Sequence, residues 1–198
     1  MGIITFKKAL LLIIYFFIFL SLTKNICASS SYVWHKSLGI DSYSQEIRVS
    51  PIDNNVIYAT YRKFAESGLY KSIDRGNTFS LVFPITTNRD VNSIALSNSN
   101  IDKLWIGTWE DGIFFSGDSA QNWNPLGLEN IHVRYITVDK SAQETLYVGS
   151  GETNLDGGVY RSFNQGNTWE PVGISTLGKK NVLDIAIDKN NPNGPLPI

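Results

Sequence analysis

The chain has 198 residues, with 17 Lys and Arg against 18 Asp and Glu and a formal net charge of −1. Residues 1–28 hold Lys7, Lys8 and Lys24 and no acid, so the remainder carries 14 basic and 18 acidic residues, a formal charge of −4; a nucleic-acid partner, which calls for a basic face, is excluded. The single cysteine, Cys27, leaves residues 29–198 without disulfide or thiolate chemistry.

In chain order, the first element is a leader. Lys7 and Lys8 precede an apolar run from Ala9 to Leu22, and small residues follow at Ala28 to Ser31. A basic start, a short apolar core and a small residue at the cut describe a secretory signal peptide over 1–28. The run is short for a membrane span, so no stable span is expected after cleavage; an uncleaved anchor is the alternative. Export without disulfides points to a secreted or periplasmic protein of bacterial type.

Residues 29–198 read as strands and turns, with no sustained helical period. Innermost strands are expected at Glu46–Ser50, Ser93–Ser97, Tyr135–Asp139 and Asp184–Asp188, and second strands at Val56–Tyr61, Leu104–Trp109 and Thr145–Ser150. Third strands are expected at Gly68–Ser72, Gly112–Ser116 and Gly158–Ser162, and fourth strands from Thr78, Asn122 and Thr168. Turns rich in Asn, Asp, Gly and Pro separate them.

One stretch recurs between the third and fourth strands. It is Ser72-Ile73-Asp74-Arg75-Gly76-Asn77-Thr78-Phe79, then Ser116-Gly117-Asp118-Ser119-Ala120-Gln121-Asn122-Trp123, then Ser162-Phe163-Asn164-Gln165-Gly166-Asn167-Thr168-Trp169. The pattern is Ser-x-Asp/Asn-x-Gly-x-Thr-Trp. Glycine permits positive φ, Asp or Asn and the hydroxyls bond turn amides, and the aromatic that opens the next strand buries a large apolar area. The closing aromatics stand 44 and 46 residues apart, and Trp34 lies 45 before Phe79. Trp34 to Ile40 therefore reads as an outer strand that precedes the first full repeat. A period near 45 with four strands per repeat is that of a β-propeller. The blades fall at about 41–85, 86–130 and 131–176, with a further blade starting at 177–198. The expected fold is an all-β, truncated propeller of six to eight four-stranded blades; an open solenoid of blades is the alternative.

The recurring stretch resembles the Asp-box, or BNR repeat, of sialidase-like propellers, sortilin-type receptors, xyloglucan-cleaving glucanases and photosystem II assembly factors. The resemblance implies that Ser72, Asp74, Gly76, Thr78, Phe79, Ser116, Asp118, Trp123, Ser162, Asn164, Gly166, Thr168 and Trp169 are structural, in turns remote from any active site. Sialidases of this type also carry an Arg-Ile-Pro motif and an arginine triad; this chain lacks the former, and Arg48, Arg89 and Arg134 do not reproduce the latter.

Ligands of propellers meet the central channel and the loops at the end opposite these turns. Gln45, Glu46, Asn92, Ser93, Arg134, Tyr135 and Asp184 are the polar side chains expected nearest the channel. Hydrolysis of a glycoside needs two carboxyl groups across a cleft. Glu46 and Asp184 occupy equivalent places on different innermost strands and are the weak candidates, with Arg134 and Tyr135 beside them. Glu110, Asp111, Glu152 and Asp156 are loop carboxylates that could join. The competing reading makes all of these a solvated channel mouth. Trp109 offers either a sugar-stacking surface or packing between blades. His35 and His132 are too far apart in sequence to suggest zinc, and no metal or cofactor is expected. The leading expectation is a secreted, non-catalytic module that binds a protein or carbohydrate. The alternatives are a glycoside hydrolase of sialidase or xyloglucanase type and an assembly factor resembling those of photosystem II.

Overall fold

The computed structural model describes residues 46–62, 67–85, 90–139, 144–151, 157–173 and 180–188. The leader, the strand expected at Trp34 to Ile40, Gln45, Glu152 and Asp156 lie outside the described residues. Twelve strands are formed: β1 Ile47–Val49, β2 Ile57–Tyr61, β3 Gly68–Ser72, β4 Ser80–Pro84, β5 Val91–Leu96, β6 Leu104–Thr108, β7 Ile113–Ser116, β8 Asn124–Pro125, β9 Val133–Val138, β10 Leu146–Ser150, β11 Gly158–Ser162 and β12 Glu170–Val172. They make three four-stranded sheets in the orders β1-β2-β3-β4, β5-β6-β7-β8 and β9-β10-β11-β12. Every pairing is antiparallel, so each sheet is a simple meander. No helix occurs among the described residues. The fold is a partial, all-β propeller of three complete blades.

The blades stack because both faces of the middle one are apolar. One core cluster joins Val56, Tyr58 and Leu69 of the first blade to Val91, Ile94, Leu104 and Ile106 of the second. The other joins Ala95, Trp105 and Ile113 of the second blade to Val133, Ile136, Leu146 and Val148 of the third. All five residues of β6 and of β10 are buried. That explains their near-continuous apolar sequence, since a strand covered on both faces has no reason to alternate. Fully burying one such side chain contributes about 1.5–3 kcal/mol.

Glycine sets the closeness of the stack. A Cβ on Gly107 of β6 would lie 2.2 Å from Val133 Cγ1, and one on Gly149 of β10 would lie 2.8 Å from Val182 Cγ1. The two glycines are equivalent notches, each receiving a valine from the segment that follows its own blade in the chain.

Several expected limits shift. The fourth strands begin at Ser80, Asn124 and Glu170 rather than at Thr78, Asn122 and Thr168. Residues 78, 122 and 168 stay in the turn because their amides bond the turn carboxylate or amide oxygen. Phe79, Trp123 and Trp169 therefore precede the strands instead of opening them. Asp184–Asp188 forms no strand. Just before it, Val182 N donates to Ser150 O of the third blade at 3.1 Å, and no strand pairs with 184–188 among the described residues.

Candidate functional site

The three recurring turns share one bonding scheme. Buried Ser72, Ser116 and Ser162 end the third strands. Their Oγ atoms accept from the amides of Gly76 (2.8 Å), Ala120 (2.9 Å) and Gly166 (2.8 Å). They donate to an Oδ1 of Asp74, Asp118 and Asn164 at 2.7, 2.8 and 2.9 Å. The same Oδ1 atoms accept from the amides of Thr78, Asn122 and Thr168, each at 2.9 Å. The remaining contact differs by turn. Thr78 Oγ1 donates to Asp74 Oδ2 and Asn122 Nδ2 donates to Asp118 Oδ2, both at 2.7 Å. In the third turn the direction reverses, and Asn164 Nδ2 donates to Thr168 Oγ1 at 2.9 Å.

These bonds stabilise the ionised carboxylate. The amide of Thr78, then its hydroxyl, then Ser72 hold the Asp74 carboxyl down at about 2. The amide and side chain of Asn122, then Ser116, do the same for Asp118, also at about 2. The depression comes from donors, since both groups are open to solvent.

The turns also stitch blades together. Arg75, Ser119 and Gln165 sit at φ 63°, 60° and 59°. That left-handed conformation leaves the carbonyls of the last two free to accept from the preceding blade: Lys71 Nζ to Ser119 O at 2.9 Å, and Trp105 Nε1 to Gln165 O at 3.1 Å. Trp123 Nε1 reaches Val82 O at 3.1 Å and Trp169 Nε1 reaches Leu126 O at 2.7 Å. Phe79, in the equivalent place, has no such donor.

The innermost strands carry a second set of polar side chains, and these too bind backbone. The inner edge of each meander leaves amides and carbonyls that its own blade does not pair. Glu46 Oε2 accepts from the Ile94 amide on the next innermost strand, while Oε1 pairs with Arg48 Nη2. Arg48 Nε donates to Ile94 O at 3.3 Å, and Arg48 Nη2 donates to Tyr135 Oη at 3.2 Å. Its guanidinium lies 5.7 Å from the Tyr135 ring centroid. Arg48 thus touches the innermost strands of all three blades. Ser93 repeats the role of Glu46 one blade on, with Oγ accepting from the Ile136 amide at 3.0 Å. Asn92 Nδ2 donates to Val133 O at 2.9 Å and Arg134 Nε to Gly151 O at 3.0 Å. Burial pushes the Glu46 carboxyl above its ordinary value, against the opposing pull of Arg48, the Ile94 amide and Ser93.

Asp184 does not join this cluster by any described bond. It is exposed, and its Oδ1 accepts from the neighbouring Ile185 amide at 2.8 Å. The structure therefore brings Glu46 and Tyr135 together through Arg48, and places Arg134 on a loop carbonyl of its own blade. Ser93 stands in the cluster where the channel-lining expectation put it, and Arg48 is the member that expectation lacked. The signal for Arg48 was available in the requirement that open inner edges find side-chain partners.

At the loop end, each blade meets the next through equivalent positions with different chemistry. Arg62 Nε pairs with Asp90 Oδ2 at 3.0 Å, where burial raises the Asp90 carboxyl and Arg62 opposes the rise. Trp109 stacks on His132 at 3.8 Å between centroids, tilted by 35°. Gly151 approaches Asn181, whose Oδ1 would lie 2.6 Å from an added Cβ. Trp109 spans two blades and remains half-buried. Among the described residues, no three His, Cys, Asp or Glu side chains gather as a metal site, and no helix is long and apolar enough to cross a membrane.

No family profile matches the chain. Over 146 residues it is 27% identical to the oligoxyloglucan-reducing end-specific xyloglucanase of Emericella nidulans, covering 65% of this chain and 18% of that protein. The chain spans under a fifth of the length of the curated relatives it matches. Among solved structures, a GH74 enzyme of Niastella koreensis aligns with a TM-score of 0.52 at 22% identity, covering 65% of this chain and 22% of that one. YCF48 bound to D1 peptide aligns with a TM-score of 0.50 at 19% identity, covering 69% and 42%. At these identities the structural likeness is one of fold.

Proposed function

We propose that the chain is an exported, non-catalytic propeller module that recognises a protein or carbohydrate through the loops at the inner-strand end. In this reading residues 1–28 are its cleaved export signal and the three recurring turns are Asp-boxes with a structural role. The observation that carries it is the state of Glu46. Both carboxylate oxygens are committed, one to the Ile94 amide and one to Arg48, so the group is not available as the acid or nucleophile that glycoside cleavage demands. Its proposed companion, Asp184, is bonded to its own backbone. The half-exposed Arg48 and Tyr135 beside Glu46, and Trp109 at the loop end, suit a binding surface.

The second reading is a glycoside hydrolase, favoured by the sequence likeness to the Emericella nidulans xyloglucanase. A third, an assembly factor, is favoured by the fold shared with YCF48. One assay separates the first two. The purified chain and its Glu46→Gln and Asp184→Asn variants are incubated with xyloglucan oligosaccharides and a sialyl-lactose, and both turnover and binding are measured. The expected result is no turnover by any of the three proteins. Turnover by the parent chain that either variant abolishes would overturn the non-catalytic reading.

A further inference from the structure

At one place on the inner edges the donors outnumber their acceptors. A guanidinium carries five N–H donors. Arg48 Nε gives one to Ile94 O, while Nη2 donates to Tyr135 Oη and pairs with Glu46 Oε1. Among the described residues nothing accepts from Nη1, so its two N–H groups remain. Tyr135 Oη accepts from Arg48 at 3.2 Å, and its own hydrogen has no acceptor among the described residues either. The Arg48 side chain is 37% exposed and Tyr135 is half-buried. Three unused donors thus stand together within reach of solvent.

The backbone beside them is closed. The Ile94 amide is held by Glu46 and its carbonyl by Arg48, and the Ile136 amide is held by Ser93. An extended peptide finds no ladder to join at these positions. What remains for a ligand is a set of side-chain donors around a cation, and a group made only of acceptors fits that set.

We propose that Arg48 and Tyr135 form a carboxylate-binding site on the inner edge of the blades, with Glu46 as its built-in rival. One ligand oxygen accepts from Arg48 Nη1 and the other from Tyr135 Oη. The site is held ready, because Arg48 is tied to Ile94 O and its guanidinium lies 5.7 Å from the Tyr135 ring centroid. Glu46 already offers a carboxylate to the same guanidinium, and its charge opposes a second anion there. The small net charge that results suits a singly charged carboxylate over a doubly charged phosphate. This inference rests on the reading of the chain as a binding module and names what its ligand must carry.

The test is equilibrium binding to the full sequence, expressed with its own leader and recovered as exported, measured by saturation-transfer NMR with two matched pairs of probes. Methyl β-D-glucuronide and methyl β-D-glucoside differ by a carboxylate, as do N-acetylglutamate α-amide and N-acetylglutamine α-amide. The acid of at least one pair is expected to bind more tightly than its neutral mate. Preference in the sugar pair alone assigns the site to a sugar acid, and preference in the glutamyl pair alone assigns it to an acidic side chain of a protein. Glu46→Gln should bind the preferred acid about tenfold more tightly, since the rival charge is gone, and Tyr135→Phe about three- to tenfold more weakly. A purely structural role for the cluster would not move the two variants in opposite directions. Absence of preference in both pairs overturns the site. A folded Glu46→Gln that gains nothing, or a folded Tyr135→Phe that loses nothing, overturns it equally. Should Glu46→Gln fail to fold, the loss in Tyr135→Phe decides alone. Release of methanol from either glycoside would instead strike the non-catalytic reading, and the preference between acid and neutral probe would still decide the carboxylate site.

Discussion

Ala120 holds φ 72° where Gly76 and Gly166 hold 86° and 96°. The second turn therefore keeps the recurring geometry without its glycine, because Ala120 still gives its amide to Ser116 and φ 72° is within the left-handed region an alanine tolerates at a cost of roughly 1–2 kcal/mol. The other two positions differ in the space around them. An added Cβ on Gly166 would lie 2.6 Å from Leu126 Cδ1, but one on Gly76 would be no closer than 3.6 Å to any neighbour. Gly76→Ala should thus cost about 1–2 kcal/mol from backbone conformation alone, and Gly166→Ala should cost more, by urea denaturation. Equal losses would show that Leu126 yields freely. The turn carboxylates set the acid limit. Asp74 and Asp118 titrate at about 2 in the folded chain, against an ordinary value near 3.8. Their contribution is present above the ordinary value and is lost as pH falls towards about 2. An Asp74→Asn/Asp118→Asn variant, built on the asparagine scheme of the third turn, should keep the fold and lose stability less steeply between about pH 5 and about pH 2. An unchanged acid slope would detach those carboxylates from acid unfolding.

At the scale of the strand, the blade edges and notches decide what can change. Gly107 has no unusual φ, so its substitution tests closeness alone. Gly107→Ala should cost about 1–3 kcal/mol through overpacking against Val133, and a neutral result in thermal denaturation would mean that the second and third blades separate without penalty. Glu46→Ala leaves the Ile94 amide and the Arg48 guanidinium without their shared acceptor and should cost about 1–3 kcal/mol; retention of full stability would show that water replaces the carboxylate. Much of this was legible in the sequence. The third strands and the turn residues were readable because glycine, serine and the Asp or Asn stand at fixed offsets. The fourth strands were placed two residues early because Thr78, Asn122 and Thr168 have strand-like neighbours, and nothing local says that their amides go to a carboxylate instead. The expectation at Asp184–Asp188 came from its apolar alternation, which is real, but a strand is defined by a partner and that partner is not local. Glu46 and Arg48 are two residues apart on one face of the same blade edge, but their reach to Ile94 and Tyr135 crosses to the other two blades, and no spacing in the sequence encodes that.

Across the whole molecule, stability should fall from the middle outward. Apart from the reach of Arg48 to Tyr135 on the third blade, the core clusters join each blade to its sequence neighbours, so the stack behaves as a nearly one-dimensional array whose units are stabilised by their interfaces. The second blade has two such interfaces, through both core clusters. Among the described residues the first blade has no such cluster on its leading side, where Ile47 and Val49 are exposed. In the segment 181–188, Val182 bonds Ser150 O and lies against Gly149 of β10, and no strand forms there. Amide hydrogens open by local unfolding with free energies that follow this kind of support. The amides of β6 should exchange last and those of β1 and of 181–188 first. The difference between β6 and β1 should be at least about tenfold in rate, equivalent to ~1.4 kcal/mol. Uniform exchange across all three blades would mean that they unfold as one cooperative body.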